Sequence, residues 1–159
     1  MLRVTLIAVG NLKESYLREA FAEYEKRLGG FCRFETVQIK ETPLSEEPSD
    51  AEIARALDAE GEKILAAMPP KAERIALCVE GKQLSSEELA EKLDAIGKTH
   101  GAVAFVIGSS YGLSPAVKEA CGMKLSVSKL TFPYQLMRVI LLETVYRSLS
   151  ILRGSKYHK

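Results

Sequence analysis

The sequence predicts an α/β fold in which a mostly parallel sheet carries helices on both faces. Short apolar runs alternate along the chain with segments whose apolar residues recur at helical spacing. Two runs, Arg74–Val79 and Val103–Ile107, are almost wholly apolar, as are strands buried on both faces of a parallel sheet. The 159 residues suit one domain with one core, and neither a linker nor an internal repeat divides them. We therefore expect a single domain over residues 1–159.

The first half of the chain predicts two strands that alternate with two helices. A β-branched run is followed by apolar residues at helical spacing, and a glycine pair separates this helix from a second alternating run. Ser49 and Glu52 have the spacing of a capping box, and Pro69 and Pro70 end the helix that it begins. The predicted elements are strand Leu2–Val9, helix Lys13–Leu28, strand Phe31–Ile39 and helix Ser49–Met68.

The second half continues this alternation. Ser85 and Glu88 form another capping-box pattern, and Ser114 before Pro115 is typical of an N-cap followed by a first-turn proline. The predicted elements are strand Arg74–Val79, a helix from Ser85 to about Lys98, strand Val103–Ile107, a short helix from Ser114 to about Cys121, strand Leu125–Ser128 and a long helix from Pro133 to about Leu152.

The composition favours a globular protein without a metal site. Hydrophobic residues make up 47% and charged residues 27% of the chain, which is too apolar for a disordered protein. No apolar run reaches the roughly 20 residues that span a bilayer, and the first residues lack the features of a secretory signal. Cys32, Cys78 and Cys121 lie far apart in or beside apolar stretches, as reduced core thiols do. We expect a cytoplasmic protein, and the absence of a Cys-x-x-Cys pair argues against zinc.

Charge is distributed unevenly along the chain. Residues 122–159 contain seven basic residues and one acidic residue, Glu143, whereas the rest of the chain is acidic overall. Such an end can bind a polyanion, although chance clustering of surface lysines and arginines explains the composition equally well. The basic segment 153–159 also holds Tyr157 and His158, a combination suited to RNA contacts, although terminal residues are usually frayed and without function.

The last predicted helix is apolar around almost its whole circumference. A surface helix of a globular protein needs only one apolar stripe. Because a chain of this size has little room to enclose such a helix, we expect one face to pack against a second copy of the chain; a central core helix within one subunit is the alternative. Glu143 and Arg147 lie four residues apart and are expected to pair on its polar strip.

Ligand binding is expected at the loops that follow strands, because open α/β sheets bind ligands beyond the carboxyl ends of their strands. Gly108 and Gly112 would let backbone amides approach a ligand, or they could simply turn the chain. Neither the dinucleotide-binding pattern nor the P-loop pattern is present. Glu80 could line a pocket, but a solvated turn acid is favoured, and Cys78 is favoured as a packed thiol over a nucleophile. The three candidate loops are residues 80–83, 108–114 and 129–133.

Two segments, Phe105–Ser114 (FVIGSSYGLS) and Ser128–Lys159 (SKLTFPYQLMRVILLETVYRSLSILRGSKYHK), together resemble the RlmH family of the SPOUT superfamily. The resemblance runs the full length of the chain, from Val4–Glu14 (VTLIAVGNLKE) to the final Tyr-His-Lys. Enzymes of this family methylate N3 of a pseudouridine in helix 69 of 23S ribosomal RNA. The resemblance implies a SPOUT-type fold with a deep trefoil knot near its C-terminal end, a homodimer, the ribosome as partner and no metal.

The resemblance also implies how this sequence would bind its cofactor and its substrate. Arg153, Tyr157 and His158 are the candidate catalytic residues, which are expected to reach the site of the partner subunit, to orient the base there and to ease loss of its proton. Many relatives have histidine and glycine where this chain has Tyr134 and Ser109. A SPOUT enzyme for another RNA and a ribosome-binding module without catalysis are the alternatives. S-adenosylmethionine would contact Leu77, Gly108, Val127, Ser128, Lys129, Leu130, Thr131 and Phe132.

Overall fold

Five parallel strands form one sheet in the order β2-β1-β4-β3-β5, which confirms the predicted α/β class. The structure is a computed structural model that describes residues 1–159. The strands are β1 Arg3–Val9, β2 Arg33–Ile39, β3 Glu73–Lys82, β4 Ala102–Ile107 and β5 Met123–Leu125. The helices are α1 Ser15–Leu28, α2 Asp50–Ala67, α3 Ser86–Thr99, α4 Pro115–Ala120 and α5 Tyr134–Leu152.

Helices cover both faces of the sheet, because successive side chains of a strand point to opposite faces. In β1, Leu6 belongs to a core cluster shared with α1, α3 and α5, whereas its neighbour Ile7 belongs to a cluster shared with α2 and α4. The central strand β4 is buried at every position, as expected for a strand covered on both sides. The parallel direction brings the carboxyl ends of β1, β3 and β4 to one edge of the sheet.

Side-chain caps fix the starts of α2 and α3. Ser85 Oγ accepts a hydrogen bond from Glu88 N, and Glu88 Oε2 accepts one from Ser85 N at 2.7 Å, so this predicted capping box is confirmed. At α2 only one half of the predicted box is present. Ser49 Oγ caps Glu52 N, but the Glu52 carboxylate accepts hydrogen bonds from the amide and the hydroxyl of Ser45 instead, each at 2.8 Å.

Strands β3 and β5 differ from the prediction at their carboxyl ends, and β2 begins at Arg33, two residues after the predicted start at Phe31. Strand β3 continues to Lys82, past the predicted end at Val79. The last strand is Met123–Leu125, so the prediction of a strand over residues 125–128 is wrong beyond its first residue. The Ser126 hydroxyl donates a hydrogen bond to the carbonyl oxygen of Ser128 at 2.9 Å. Such local serine contacts compete with strand pairing, although the alternating polarity favoured a strand.

Helix α5 packs against α1 and α3 and covers one face of the sheet. The hydroxyls of its fully buried Ser148 and Ser150 each donate a hydrogen bond to the carbonyl oxygen four residues earlier, at 2.8 Å. The apolar side chains of Leu136, Val139 and Ile140 are only partly buried within the single chain. Apolar as α5 is, neither it nor another helix combines the length and hydropathy that a membrane span requires.

Candidate functional site

A cavity of about 720 Å³ opens at the carboxyl edge of the sheet. Its walls come from the ends of β3 and β4, from the loop 108–113, from residues 125–133 and from the start of α5. This is the edge at which the sequence placed its candidate loops, although Leu77 and Val79 of β3 line the cavity in place of residues 81–83. The strand direction therefore gathers segments that are distant in sequence around one space.

Seven of the eight residues expected to hold a cofactor line this cavity. The exception is Lys129, which is exposed and is not part of the lining. Most of the lining is apolar, and serine and threonine hydroxyls supply much of the polar remainder. The seven are Leu77, Gly108, Val127, Ser128, Leu130, Thr131 and Phe132.

The loop after β4 is folded tightly around its two glycines. A Cβ atom at position 108 would overlap the backbone carbonyl of Gly112, so only glycine fits there. Gly112 has φ +86° and its amide donates to the carbonyl oxygen of Ser109 at 2.9 Å. No residue other than glycine has a positive φ, so Ser109 occupies its position without backbone strain. The loop closes on itself through backbone contacts.

The loop after β5 is anchored to the end of β3. Ser126 N donates to the Lys82 carbonyl oxygen at 2.9 Å, and Leu130 N donates to Ser128 Oγ at 3.0 Å. A Cβ atom at Gly81 would lie 2.6 Å from the carbonyl carbon of Leu125. The absence of a side chain at Gly81 thus lets the two segments approach closely and sets the width of this wall.

The first turns of α5 are fixed to the end of β1 by a buried arginine that the sequence reasoning missed. Arg138 is 3% exposed, and its guanidinium donates to the carbonyl oxygens of Val9 and Gly10, the second at 2.8 Å. Burial lowers the pKa of Arg138, and its Nε atom has no hydrogen-bond partner. Tyr134 and Met137, on the same turns, face the cavity. A cation inside an otherwise apolar helix was the signal that could have identified it.

One ion pair lies in the lining. Lys118 Nζ on α4 contacts Glu80 Oε1 at the end of β3 at 2.5 Å, and this contact lowers the pKa of Glu80. Glu80 is exposed, as predicted, but it lies in a strand and lines the cavity instead of occupying a turn. Cys78 also lines the cavity, partly buried, and burial raises the pKa of its thiol, which disfavours a nucleophilic thiolate.

The C-terminal tail, residues 153–159, folds back on the helices of its own chain. Tyr157 Oη donates to Glu143 Oε2 at 2.8 Å, and its ring packs edge-on against Tyr146 with centroids 4.8 Å apart. Glu143 also pairs with Arg147 at 2.6 Å, which confirms that predicted pair. Burial, followed by the contact with Glu143, raises the pKa of Tyr157, so its phenol is neutral at physiological pH.

The other two candidate catalytic residues also contact residues of their own chain. Arg153 donates to the Gly30 carbonyl oxygen at 2.6 Å, and its guanidinium lies 4.4 Å from the centroid of the Phe31 ring. His158 Nε2 lies 2.8 Å from Glu87 Oε1, while its buried Nδ1 has no partner. None of Arg153, Tyr157 and His158 lines the cavity of its own chain. The structure therefore holds each of the three against a different part of its own chain, and none of them at the cavity.

The side chains contain no group of three or more histidine, cysteine, aspartate or glutamate residues placed to hold a metal ion. The two histidines lie at opposite ends of α3: His100 follows its last residue, and His158 contacts Glu87 in its first turn.

Comparisons with known proteins point to one family. A family model described as "Predicted SPOUT methyltransferase" matches residues 2–158. Two similar proteins are each named "Ribosomal RNA large subunit methyltransferase H". One, from Exiguobacterium sibiricum, is 44% identical over 99% of this chain and 100% of its own length. The other, from Bifidobacterium adolescentis, is 46% identical with the same coverage. A solved structure described as a probable methyltransferase from Bordetella pertussis is 19% identical and supports the fold alone, with a TM-score of 0.61 over 93% of this chain and 95% of that one.

Proposed function

Because this chain belongs to the SPOUT methyltransferase family, we propose that it transfers a methyl group from S-adenosylmethionine to N3 of a pseudouridine in helix 69 of 23S ribosomal RNA. The observation that carries the proposal is full-length identity of 44–46% to proteins named as methyltransferases of large-subunit ribosomal RNA. Residues 1–159 would form one domain, with the trefoil knot that the resemblance implies.

The cavity fits S-adenosylmethionine in size and in chemistry. Its volume of about 720 Å³ lies within the range of small-molecule sites. Apolar side chains such as Leu77 and Val127 can enclose an adenine ring, and glycine at position 108 lets the loop pack tightly against Gly112 and so shape the cavity wall. We propose that the seven lining residues named above bind the donor, and that Lys129 contributes through its backbone or faces the RNA.

The protein's part in the reaction is to position the base and to handle one proton. The donor supplies an electrophilic methyl group, so the acceptor nitrogen must lie in line with it at about 3 Å and must lose its proton. We propose that His158 and Arg153 orient the base and ease that loss. Tyr157 acts as a neutral hydrogen-bonding group, because its raised pKa excludes a phenolate at physiological pH.

We further propose a homodimer in which the tail of one subunit reaches the cavity of the other. The tail does not line the cavity of its own chain, so a site that uses both needs a second copy. The partly buried Leu136, Val139 and Ile140 on α5 supply an apolar surface for that contact. The excess of basic residues in 122–159 suits a phosphate backbone.

The substrate is expected to be a shaped site on the ribosome, and the protein would act in the cytoplasm, where ribosomes are. We propose that the shape of the assembled site supplies the specificity, while the basic residues of 122–159 contact phosphates. Labelled methyl transfer to assembled ribosomes, separated subunits and naked RNA, followed by mapping of the product, tests this. Strong methylation of ribosomes is the expected result. Robust methylation of naked RNA, or methylation of another nucleotide, would contradict the proposed substrate.

Isothermal titration with S-adenosylmethionine separates an enzyme from a binding module. We expect binding by the full chain without RNA, because the cavity is formed by backbone contacts within one subunit. A chain that binds ribosomes but gives no heat with S-adenosylmethionine would be a module without catalysis.

Mixed dimers test the shared site. A Gly108→Ala subunit lacks a donor cavity, and a His158→Ala subunit lacks the proposed tail function. If the tail acts in the partner's site, a mixture of the two inactive variants regains activity, because some dimers contain one intact cavity beside one intact tail. A mixture that stays inactive although dimers exchange would place each tail with its own cavity.

A further inference from the structure

Glu80 and Lys118 are the only ionisable side chains of opposite charge in the cavity lining. They come from different elements, the end of β3 and the short helix α4, and meet at 2.5 Å. Their side chains are 57% and 27% exposed, so the pair lies at the rim of the cavity and not in its apolar interior. A surface ion pair of this kind contributes little to stability, which leaves its position in a ligand cavity unexplained by folding alone.

The methyl donor carries two charges of opposite sign at one end. Its amino-acid group has an ammonium and a carboxylate on the same carbon, whereas its adenine is neutral. Moving either charge into an apolar enclosure without a partner is costly, so the amino-acid end must lie where the protein offers both signs and water. Only the rim at Glu80 and Lys118 offers this.

Resting on the proposed function, we infer that Glu80 and Lys118 form a clamp for the amino-acid end of the donor, with Lys118 binding its carboxylate and Glu80 its ammonium group. The mutual ion pair is exchanged for two charge-assisted hydrogen bonds when the ligand enters. Because the lowered pKa of Glu80 keeps it ionised, both charges are available at neutral pH. The pair also links β3 to α4, so it orients both groups before the ligand arrives.

The proposed clamp contacts the amino-acid group of the donor and not its sulfonium. Three ligands that differ in these two groups can therefore test it. S-adenosylmethionine has both features, S-adenosylhomocysteine keeps the amino-acid group without the positive sulfur, and 5′-methylthioadenosine lacks the amino-acid group. The dissociation constant of each is measured by isothermal titration with the full chain, with Lys118→Met and with Glu80→Gln. Glu80→Gln keeps the size of the side chain and Lys118→Met shortens it by one atom, and each removes one charge.

We expect each substitution to lower the affinity for S-adenosylmethionine and for S-adenosylhomocysteine alike, by about tenfold. The affinity for 5′-methylthioadenosine should change by less than about twofold. The loss should shrink as salt is raised, because the contacts are partly exposed. Lys98→Met is the matched control, since it breaks the exposed pair of Lys98 with Asp94, also 2.5 Å long, which does not line the cavity. Thermal unfolding of each variant reports whether the fold is kept.

Three results would overturn the clamp. Equal weakening of all three ligands would mean that the pair only holds the cavity walls together. Weakening of S-adenosylmethionine alone by Glu80→Gln would assign Glu80 to the sulfonium. Unchanged affinities in both variants would mean that neither charge contacts the ligand. If the unsubstituted chain binds neither S-adenosylhomocysteine nor S-adenosylmethionine at any concentration tested, the proposed function itself fails. That outcome is distinct from the other three.

Discussion

The cavity at the carboxyl edge and the C-terminal tail are held in place by different kinds of contact. The cavity is shaped by the backbone: Gly108 lies against Gly112, Gly81 lies against Leu125, and loop amides donate to nearby oxygens. The tail is held by side chains, through hydrogen bonds to carboxylates and carbonyl oxygens and through contacts between rings. The cavity is therefore formed by backbone contacts within one chain, whereas the position of the tail depends on individual side-chain contacts.

Exposure adds to this difference. Gly108 and Ser109 are buried, but the tail residues Arg153 and Lys156 are exposed and His158 is partly so. Contacts at exposed side chains are weakened by water and salt, so each stabilises the tail by little. Donor binding should therefore tolerate changes in the tail, and substitutions in the two regions should have separable effects.

The largest effect is expected at the cavity. Gly108→Ala places a Cβ atom inside the backbone of Gly112, so the loop must move. We expect donor affinity to fall by more than about 100-fold and stability to fall by about 1–3 kcal/mol or more, as overpacking does. Isothermal titration and chemical denaturation measure the two effects.

Gly97→Ala is the matched control, because a Cβ atom at Gly97 in α3 would have no neighbour within 4 Å. The added methyl group should raise helix stability by about 1 kcal/mol and leave donor affinity unchanged. If Gly108→Ala bound the donor normally, the loop after β4 would not be the donor site, and the backbone account of the cavity would be wrong.

The location of the cavity could be predicted from the sequence, but the side chains that complete it could not. Apolar runs reveal parallel strands, and parallel strands bring the loop at Gly108 to the same edge as the loop at Ser128. The positions of the Lys118 and Arg138 side chains depend on how α4 and α5 are rotated about their axes on the sheet. The spacing of apolar residues does not determine that rotation when a helix such as α5 is apolar on all sides. The tail's contacts join residues far apart in sequence, such as Glu87 with His158, which no local pattern encodes.

The second effect separates the two regions directly. His158→Ala removes the proposed proton-handling group without touching the cavity lining. We expect turnover to fall by about 100-fold, the scale of acid–base assistance, with donor affinity within about twofold of the unsubstituted chain. Single-turnover methyl transfer and isothermal titration measure these.

His100→Ala is the control, because His100 lies at the other end of α3 with Glu73 as its nearest acid, at 3.9 Å. Its turnover should be unchanged. Unchanged turnover in His158→Ala would remove the imidazole from the mechanism, and a matching loss of donor affinity would mean that the tail and the cavity are not independent.

A smaller effect is expected where the tail is anchored. Tyr157→Phe removes the hydrogen bond to Glu143 but keeps the ring against Tyr146. The free energy of unfolding should fall by about 1 kcal/mol, because the hydrogen bond is partly exposed to solvent, and Tm should fall by roughly 2–4 °C. Turnover should fall less than in His158→Ala. Tyr16→Phe, an exposed tyrosine on α1, is the control for losing a hydroxyl; an equal Tm in both variants would mean that the Glu143 contact does not stabilise the tail.

The smallest effect is expected from two carboxylates, Glu60 near the cavity loop and Glu143 in contact with the tail. Glu60 on α2 is 3% exposed and accepts a hydrogen bond from Thr42 N at 3.0 Å. Burial is the main cause that raises the pKa of Glu60, and Ser109 of the cavity loop is a weaker, opposing influence. Glu143, in contrast, is partly exposed and paired with Arg147. Replacing each by glutamine should therefore change stability in opposite directions at neutral pH.

The sign at Glu60 follows from proton binding. Because the pKa is raised on folding, the folded chain binds more protons than the unfolded chain between the usual glutamate value of about 4.3 and the raised value, so this group makes stability fall as pH rises through that window. Glu60→Gln removes this loss of stability with rising pH, and the glutamine oxygen can still accept the hydrogen bond from Thr42 N. The free energy of unfolding of the variant should therefore rise by on the order of 1 kcal/mol at pH 7 and hardly at all at about pH 4. Denaturation at both pH values measures this difference. Glu143→Gln should lose stability at pH 7, since it weakens the contacts to Arg147 and Tyr157. A Glu60→Gln gain that is equal at both pH values would show that the carboxylate's charge is not what burial opposes there.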